Sequence, residues 1–549
     1  MSTRTTRWLA ILLAFTFLAA ACGGESSDGD GDASVDGTGD DSGDDSGDDG
    51  TGTGDDGTGD DGTGDDGTGD DGTGDDGSSG EPNFYEDPRG GVFDEFQQTY
   101  DRSDDPFTQI DAVCLPHDAA SDRVDTDAGI TADEVRIGHI RSRLEEAVDI
   151  GFGIPVGDPE EMFDVLVDYV NTECGGVRGR TVNLGYAEAP LLGDQVDAER
   201  NQACLAMTED FDAVIVMNSS GFQGTANLCL VEEQETAFIS TQGQTEEWME
   251  RGEDRLISMS PTLEESVRFM ALDLIANGAL EGKTLGVAAP NTPGQAEAVE
   301  AGLVDTLNDA GFDIVFDVID CGGGTVCAGG VPQSVTNMRN AGVDVFFNVL
   351  NILSAPGYVA EMVNQGYEVG DVQFYASDFN SQASELVSGQ IANNVDAGNL
   401  YNGAQIIDFR ATGSEREPGF EPNPFAAECN RVYAENSPSG ASHAWDDEGD
   451  SAYNMVSSVC SILRIALRAI YNAGDNPTVA DVQAALANLG PVDTGGQIPA
   501  SITPGKTQTA DAIQTLDWVF PCDQPQPFTR ANGEPICITG QNDWRPAPR

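Results

Sequence analysis

The side chains able to do chemistry in this chain are few, and they fall at particular places. Three histidines, His117, His139 and His443, lie far apart, and none of the eleven cysteines forms a CxxC pair, so no metal centre is expected. No GxSxG, HExxH or GxxxxGK[ST] motif occurs, and the glycine cluster CGGGTVC is bracketed by Cys321 and Cys327. Nucleophile, metal and phosphate-loop routes to catalysis therefore lack their residues. The expectation is a protein that binds without turnover, with no catalytic residue, cofactor or metal.

What remains is a set of polar residues placed where apolar runs end. Asn218, Ser219 and Ser220 close DAVIVMN; Thr241 and Gln242 follow AFIS; Asn291 follows TLGVAAP; Asn348 lies in DVFFNVL; Asp378 follows VQFYAS; Arg141 follows VRIGHI. Hydroxyls and backbone N–H groups at such ends suit an anion such as a carboxylate. Each residue also has a structural role open to it. Ser219, Thr241 and Asp378 can cap helices, Arg141 and Arg143 can pair with Glu145 and Glu146, and Trp445, near His443, can pack at a rim instead of stacking on a ligand.

The elements that must position these residues are legible in the hydrophobic pattern. EEMFDVLVDYVNTE carries apolar residues at helical spacing, and TVNLGYA, DAVIVMN and TAFIST read as strands separated by helices. A second series alternates TLGVAAP, DIVFDVI, DVFFNVL and VQFYASD with further helices. Short apolar strands alternating with helices predict parallel sheets covered on both faces, in two α/β units in tandem. Later come long amphipathic helices, FAAECNRVYAEN, SAYNMVSSVCSILRIALRAIYNAG and TVADVQAALANLG, of the kind that return to cover an earlier sheet.

The formal net charge is -71, from 96 acidic and 25 basic residues, which argues against nucleic acid or an anionic membrane surface as partner. Residues 23–81 repeat a GTGDD pentad without aromatic residues and are expected to form a disordered tether, with a coil span of roughly 40 Å. A calcium-binding repeat would need a nonapeptide period with an apolar position, and neither occurs. Residues 82–128 read as an irregular arm on the body. Residues 1–22 combine Arg4 and Arg7 with an apolar run too short to span a bilayer as a mature helix. The ending Ala19-Ala20-Ala21-Cys22-Gly23-Gly24 resembles the lipobox of bacterial lipoproteins, which implies lipidation at Cys22 and an extracytoplasmic location on the outer face of the cell membrane.

Without Cys22 ten cysteines remain, an even number suited to a disulfide framework in a secreted chain. Their connectivity is open among hundreds of pairings. Spacing favours Cys321 with Cys327 and Cys522 with Cys537, then Cys204 with Cys229 and Cys429 with Cys460, leaving Cys114 and Cys174 by elimination.

Taken in order, GITADEVRIG, NTECGGVRGRTVNL, AFIST, GKTLGVAAPNTPGQAEAVEAGL and SAYNMVSSVCSILRIALRAIYNAG with VADVQAAL resemble the type 1 periplasmic binding proteins, specifically the branched-chain amino-acid (Leu/Ile/Val) binding group of ABC importers. The resemblance covers about residues 129–520. It implies two doubly wound parallel-sheet lobes joined by three crossovers, lobe 1 from 129–261 plus 404–511 and lobe 2 from 262–403 plus 512–549. It further implies a monomer that captures a small polar solute, hands it to ABC permease subunits, and touches the membrane only through its lipid anchor. The loops at Asn218 to Ser220 and at Thr241 match the positions where the family holds a ligand carboxylate, and Asp378 the position facing a ligand ammonium. Asn291 and Asn348 stand where the amino-acid binders usually offer aromatic residues. A sensing receptor of the same fold without a transporter is the alternative.

Overall fold

The computed structural model describes residues 113–115, 122–146, 156–191, 196–219, 221–222, 224–292, 294–321, 327, 329–351, 354–379, 385–410, 412, 422–444, 452–496, 500–522, 537–541 and 543–548. The expected signal peptide with Cys22, the tether, most of the 82–128 arm, Ser220 and Trp445 lie outside these residues.

The first sheet contains β1 (Glu134–Ser142), β2 (Thr181–Ala189), β3 (Ile215–Asn218), β4 (Ala237–Ser240) and β5 (Leu256–Ser258), all parallel, in the order β2-β1-β3-β4-β5. IVMN and AFIS are buried at every position, as parallel strands covered on both faces must be. One face is covered by α1 (Pro159–Thr172) and the other by α2 (Val196–Leu205) and α3 (Ala226–Leu228), each continued by a π turn. α4 (Glu246–Arg251) precedes β5.

The chain then crosses to the second sheet through α5 (Leu263–Ala276), whose start is fixed by a reciprocal Thr262–Glu265 capping box. That sheet contains β6 (Leu285–Pro290), β7 (Ile314–Ile319), β8 (Val345–Asn348), β9 (Gln373–Ser377) and β10 (Gln405–Asp408), in the order β7-β6-β8-β9-β10. With strands numbered from the first of each lobe, both sheets have the same order, 2-1-3-4-5, so each lobe is doubly wound. α6 (Gln295–Val299), α7 (Val331–Ala341), α8 (Ala355–Asn364), α9 (Glu385–Ala392) and α10 (Val395–Tyr401) belong to this lobe.

After β10 the chain recrosses. α11 (Pro424–Asn436), α12 (Tyr453–Asn472) and α13 (Val479–Leu486) return to the first lobe, where α12 packs on α1, β3 and β4. A small ribbon of β11 (Gly490–Pro491) and β12 (Ser501–Ile502) precedes the third crossover. β13 (Ala512–Trp518) then joins the second sheet antiparallel to β10, with β14 (Ile538–Gly540) and β15 (Arg545–Pro546) paired to it. The boundary drawn from the sequence at residue 404 shifts here: β10 is the fifth strand of the second lobe, hydrogen-bonded to β9, so the return to lobe 1 begins beyond Asp408.

Val113 and Leu115 are buried in the first lobe's core, and Cys114 is joined to Cys174. The other pairs are Cys204–Cys229, Cys321–Cys327, Cys429–Cys460 and Cys522–Cys537. Three buried arginines hold loops to the first lobe's core through carbonyl groups. Arg180 donates to Thr131 O at 2.7 Å and Asp475 O at 2.8 Å, Arg468 to Pro491 O at 2.8 Å, and Arg464 to Cys114 O. A guanidinium carries five donors in a planar fork, so one side chain can serve acceptors on separate loops.

Cys429 and Cys460 cross-link α11 to α12, both packed on the first sheet. Replacing both with serine is expected to lower the stability of that lobe by about 2–4 kcal/mol, measured by urea unfolding; a loss below about 0.5 kcal/mol would show the cross-link to be dispensable.

Candidate functional site

In an open parallel sheet a crevice forms beyond the carboxyl ends of the strands, where the strand order reverses. In the first lobe that place lies between β1 and β3, and the polar residues there are built into the fold. Asn218 is buried; its Nδ2 donates to Ile140 O at 2.7 Å and its Oδ1 accepts from Phe222 N at 3.3 Å, tying β1 to the turn after β3. Gly221 has φ 79°, and a Cβ on it would lie 2.9 Å from the Ser142 side chain, so glycine alone fits. Ser219 Oγ lies 3.3 Å from His139 Nε2, and its carbonyl accepts from Thr241 Oγ1 at 2.6 Å. His139 is buried against Phe163 and Tyr186, and burial, then the charge of Arg141, lowers its pKa to about 3, so the ring is neutral. The Gln242 carbonyl accepts from the hydroxyls of Ser240 and Ser258, at 3.2 and 3.1 Å.

The second lobe places its candidates differently. Asn348 is buried and its Nδ2 donates to Tyr401 OH at 3.2 Å, which turns it into the lobe. Asn291 bridges the ends of β6 and β7: its Nδ2 donates to Asp320 Oδ1 at 2.9 Å, and its Oδ1 accepts from Cys321 N at 2.8 Å. Arg141 pairs with Glu188 at 2.6 Å and Glu145 at 3.2 Å; Arg143 pairs with Glu146 at 2.7 Å and Glu199 at 3.0 Å. Of the two partners considered from sequence for this pair, Glu145 and Glu146, each arginine takes one and adds a glutamate from the neighbouring β2–α2 region.

Asp378 and Thr241, from different lobes, are brought together by a residue that the sequence reading did not single out. Arg410 lies two positions beyond β10, and its Nη2 donates to Ser260 Oγ at 2.7 Å and to Thr241 O at 3.3 Å, while standing 3.8 Å from Asp378 Oδ2. Ser260 Oγ in turn donates to Thr241 O at 2.8 Å. The carboxyl ends of β4, β5, β9 and β10 thus meet at one guanidinium. A signal was present: the run QIID ends in Asp408, and Arg410 follows two positions on, so two ionisable groups of opposite type stand at the end of a covered strand. Assigning that run to the wrong lobe hid it.

Asp408, at the end of β10, is buried beside this cluster. Burial, then the charge of Asp378, pushes its pKa up to about 7 against the opposing effect of Arg410. Glu264, at the start of α5, is also raised to about 7, chiefly by burial, although its carboxylate accepts from Glu246 N at 2.9 Å.

No protein-family model matches the chain, and no curated protein matches its sequence. Solved structures do. A solute-binding protein of an ABC transporter from Rhodopseudomonas palustris HaA2, in complex with p-hydroxybenzoic acid, is 13% identical with TM-score 0.52, covering 74% of this chain and 97% of its own. A branched-chain amino acid ABC transporter protein from Thermus thermophilus with bound valine is 12% identical with TM-score 0.52, covering 74% and 96%. A fatty acid ABC transporter substrate-binding protein from Thermomonospora curvata is 14% identical with TM-score 0.51, covering 77% and 95%. The chain therefore has the fold of the type 1 periplasmic solute-binding proteins, two doubly wound lobes joined by three crossovers.

A carboxyl whose pKa is higher in the folded than in the unfolded state favours folding most when protonated, so its contribution fades as pH rises from the ordinary carboxylate range through about 7. Asp408→Asn cannot ionise. Its stability relative to wild type is therefore expected to improve between about pH 5 and about pH 8 in chemical unfolding; a pH-independent difference would mean that Asp408 titrates as an exposed carboxyl.

Proposed function

We propose that this chain is an extracytoplasmic solute-binding lipoprotein of an ABC importer, that it captures a small polar ligand, an amino acid or related carboxylate, by closure of its two lobes, and that it catalyses no reaction. The observation that carries the reading is the meeting of strand ends from both lobes at Arg410, Thr241, Ser260 and Asp378, where a ligand can touch both lobes at once. A ligand that touches both lobes binds the closed arrangement better than the open one and shifts the equilibrium toward it. The similar structures are transporter proteins with aromatic acid or valine bound, which supports the size and polarity of the solute.

The membrane part of the reading rests on Cys22 and the charged, apolar and small residues before it. Among the described residues no helix is long and apolar enough to cross a membrane. A lipid on Cys22 with the acidic tether of residues 23–81 would hold the body away from the surface, delivering solute to permease subunits.

Mass spectrometry of the solute released on denaturing natively purified protein is expected to find one small polar compound near stoichiometric amount. Readding it should reduce the radius of gyration in solution scattering; unchanged dimensions at saturation would overturn capture by closure. Cys22→Ser is expected to move the protein from the membrane fraction to the soluble fraction, and retention with the membrane would refute the anchor.

A further inference from the structure

Arg410 holds more hydrogen-bonding capacity than the protein uses. Its Nη2 serves Ser260 and Thr241, whereas Nε and Nη1, which carry three N–H donors, have no partner among the described residues, and the side chain is 40% exposed. Arg141 and Arg143, at the carboxyl end of β1, each hold two glutamates. The hydroxyl of Thr241 is committed to Ser219 O, and that of Ser219 faces the neutral His139. The hydroxyl anchors that the family resemblance implies for a ligand carboxylate are thus already engaged inside the lobe.

Asp378 is correspondingly poor as an ammonium receptor. Its side chain is 10% exposed and stands 3.8 Å from Arg410, so an ammonium placed against it would lie within a few ångströms of a guanidinium. In a site drained of water that repulsion is only weakly screened. The neighbouring carboxyl, Asp408, keeps its proton toward neutral pH through burial and so opposes an incoming anion less than an ionised group would.

We infer that Arg410 is the counter-ion for a ligand carboxylate, with Asp378 as its buttress, and that the solute is an organic acid without an ammonium group. This rests on the capture reading and narrows its ligand class. The guanidinium is held from the first lobe by Thr241 and Ser260 and from the second by Asp378 and the Phe409 ring, 4.8 Å away, so it is oriented before the ligand arrives. Its unused donors belong to the same planar group whose Nη2 touches the strand ends of both lobes.

Calorimetry with matched probes separates the possibilities: valine against 3-methylbutanoate, phenylalanine against 3-phenylpropanoate, and 4-hydroxybenzoate. The acid of a pair is expected to bind at least about tenfold more tightly than its amino partner. Arg410→Gln should weaken it by about thirtyfold or more, with Arg410→Lys retaining part of the affinity. Unliganded melting temperatures control for folding, and the wild-type probe comparison stands if a variant fails to fold. Tighter binding of the amino partner, or loss in Asp378→Asn with none in Arg410→Gln, overturns the inference and leaves capture intact. Should no probe bind, the solute released from natively purified protein decides. An acid without an amine whose rebinding is lost in Arg410→Gln supports the inference, and an amine-bearing or uncharged solute overturns it. Release of no solute, with no probe bound, overturns the capture reading itself.

Discussion

A parallel sheet five strands wide has two apolar faces, and each must be covered by helices the chain can supply only between strands or after them. In the first lobe the connecting helices suffice for one face. The other needs α12, a long helix lying some 200 residues downstream in sequence, together with α11 and α13. This requirement forces the chain to leave the first lobe, build the second and come back. Three crossovers result, and with them a narrow zone where the ends of β4, β5, β9 and β10 are held close because the chain passes between them.

That zone cannot be filled with apolar groups alone, because strand ends leave carbonyls and N–H groups without ladder partners. Hydroxyl and backbone groups satisfy several of them: Ser258 Oγ donates to Ser260 O at 2.7 Å, and Ser258 N donates to Thr507 O at 2.9 Å, joining the first crossover to the third. Gln508 Nε2 reaches Glu265 at 3.2 Å, at the start of α5. Arg410 completes the set from the second crossover. The three connections are linked by polar contacts, each individually worth about 1 kcal/mol, which hold the lobes in register without filling the space between them with a hydrophobic core.

Much of the fold was legible in the sequence because it is written in runs of buried residues. DAVIVMN, AFIST, DVFFNVL and VQFYASD could only be covered strands, and the amphipathic SAYNMVSSVCSILRIALRAIYNAG could only be a covering helix. QIID is short, and without its pairing partners it reads equally well in either lobe; its register against β9 and β13 is tertiary information. The site was legible only in part, for a related reason. Residue type and position at a strand end identify Asn218, Asn348 and Asn291 as polar groups near a crevice, but whether an amide faces outward or satisfies a neighbouring backbone group depends on distances across strands. Asn218 spans β1 and β3, and Asn348 finds a tyrosine 53 positions away. No local pattern encodes such partners.

The disulfides bear on the same division between rigid lobes and an adaptable junction. Cys114–Cys174, Cys204–Cys229 and Cys429–Cys460 lie within the first lobe, and Cys321–Cys327 and Cys522–Cys537 within the second, so none of the five links one lobe to the other. A cross-link stabilises mainly by restricting the unfolded chain, so bracing within a lobe costs the junction nothing. A bridge across the junction would fix one separation of the lobes. Covalent bonds lie within each lobe, and the contacts described between lobes are polar, among them the Arg410 cluster and the Arg268–Glu246 ion pair at 2.7 Å. That arrangement lets a bound anion add its own interactions to those already present, and it is the physical basis on which the proposed closure can respond to a small solute.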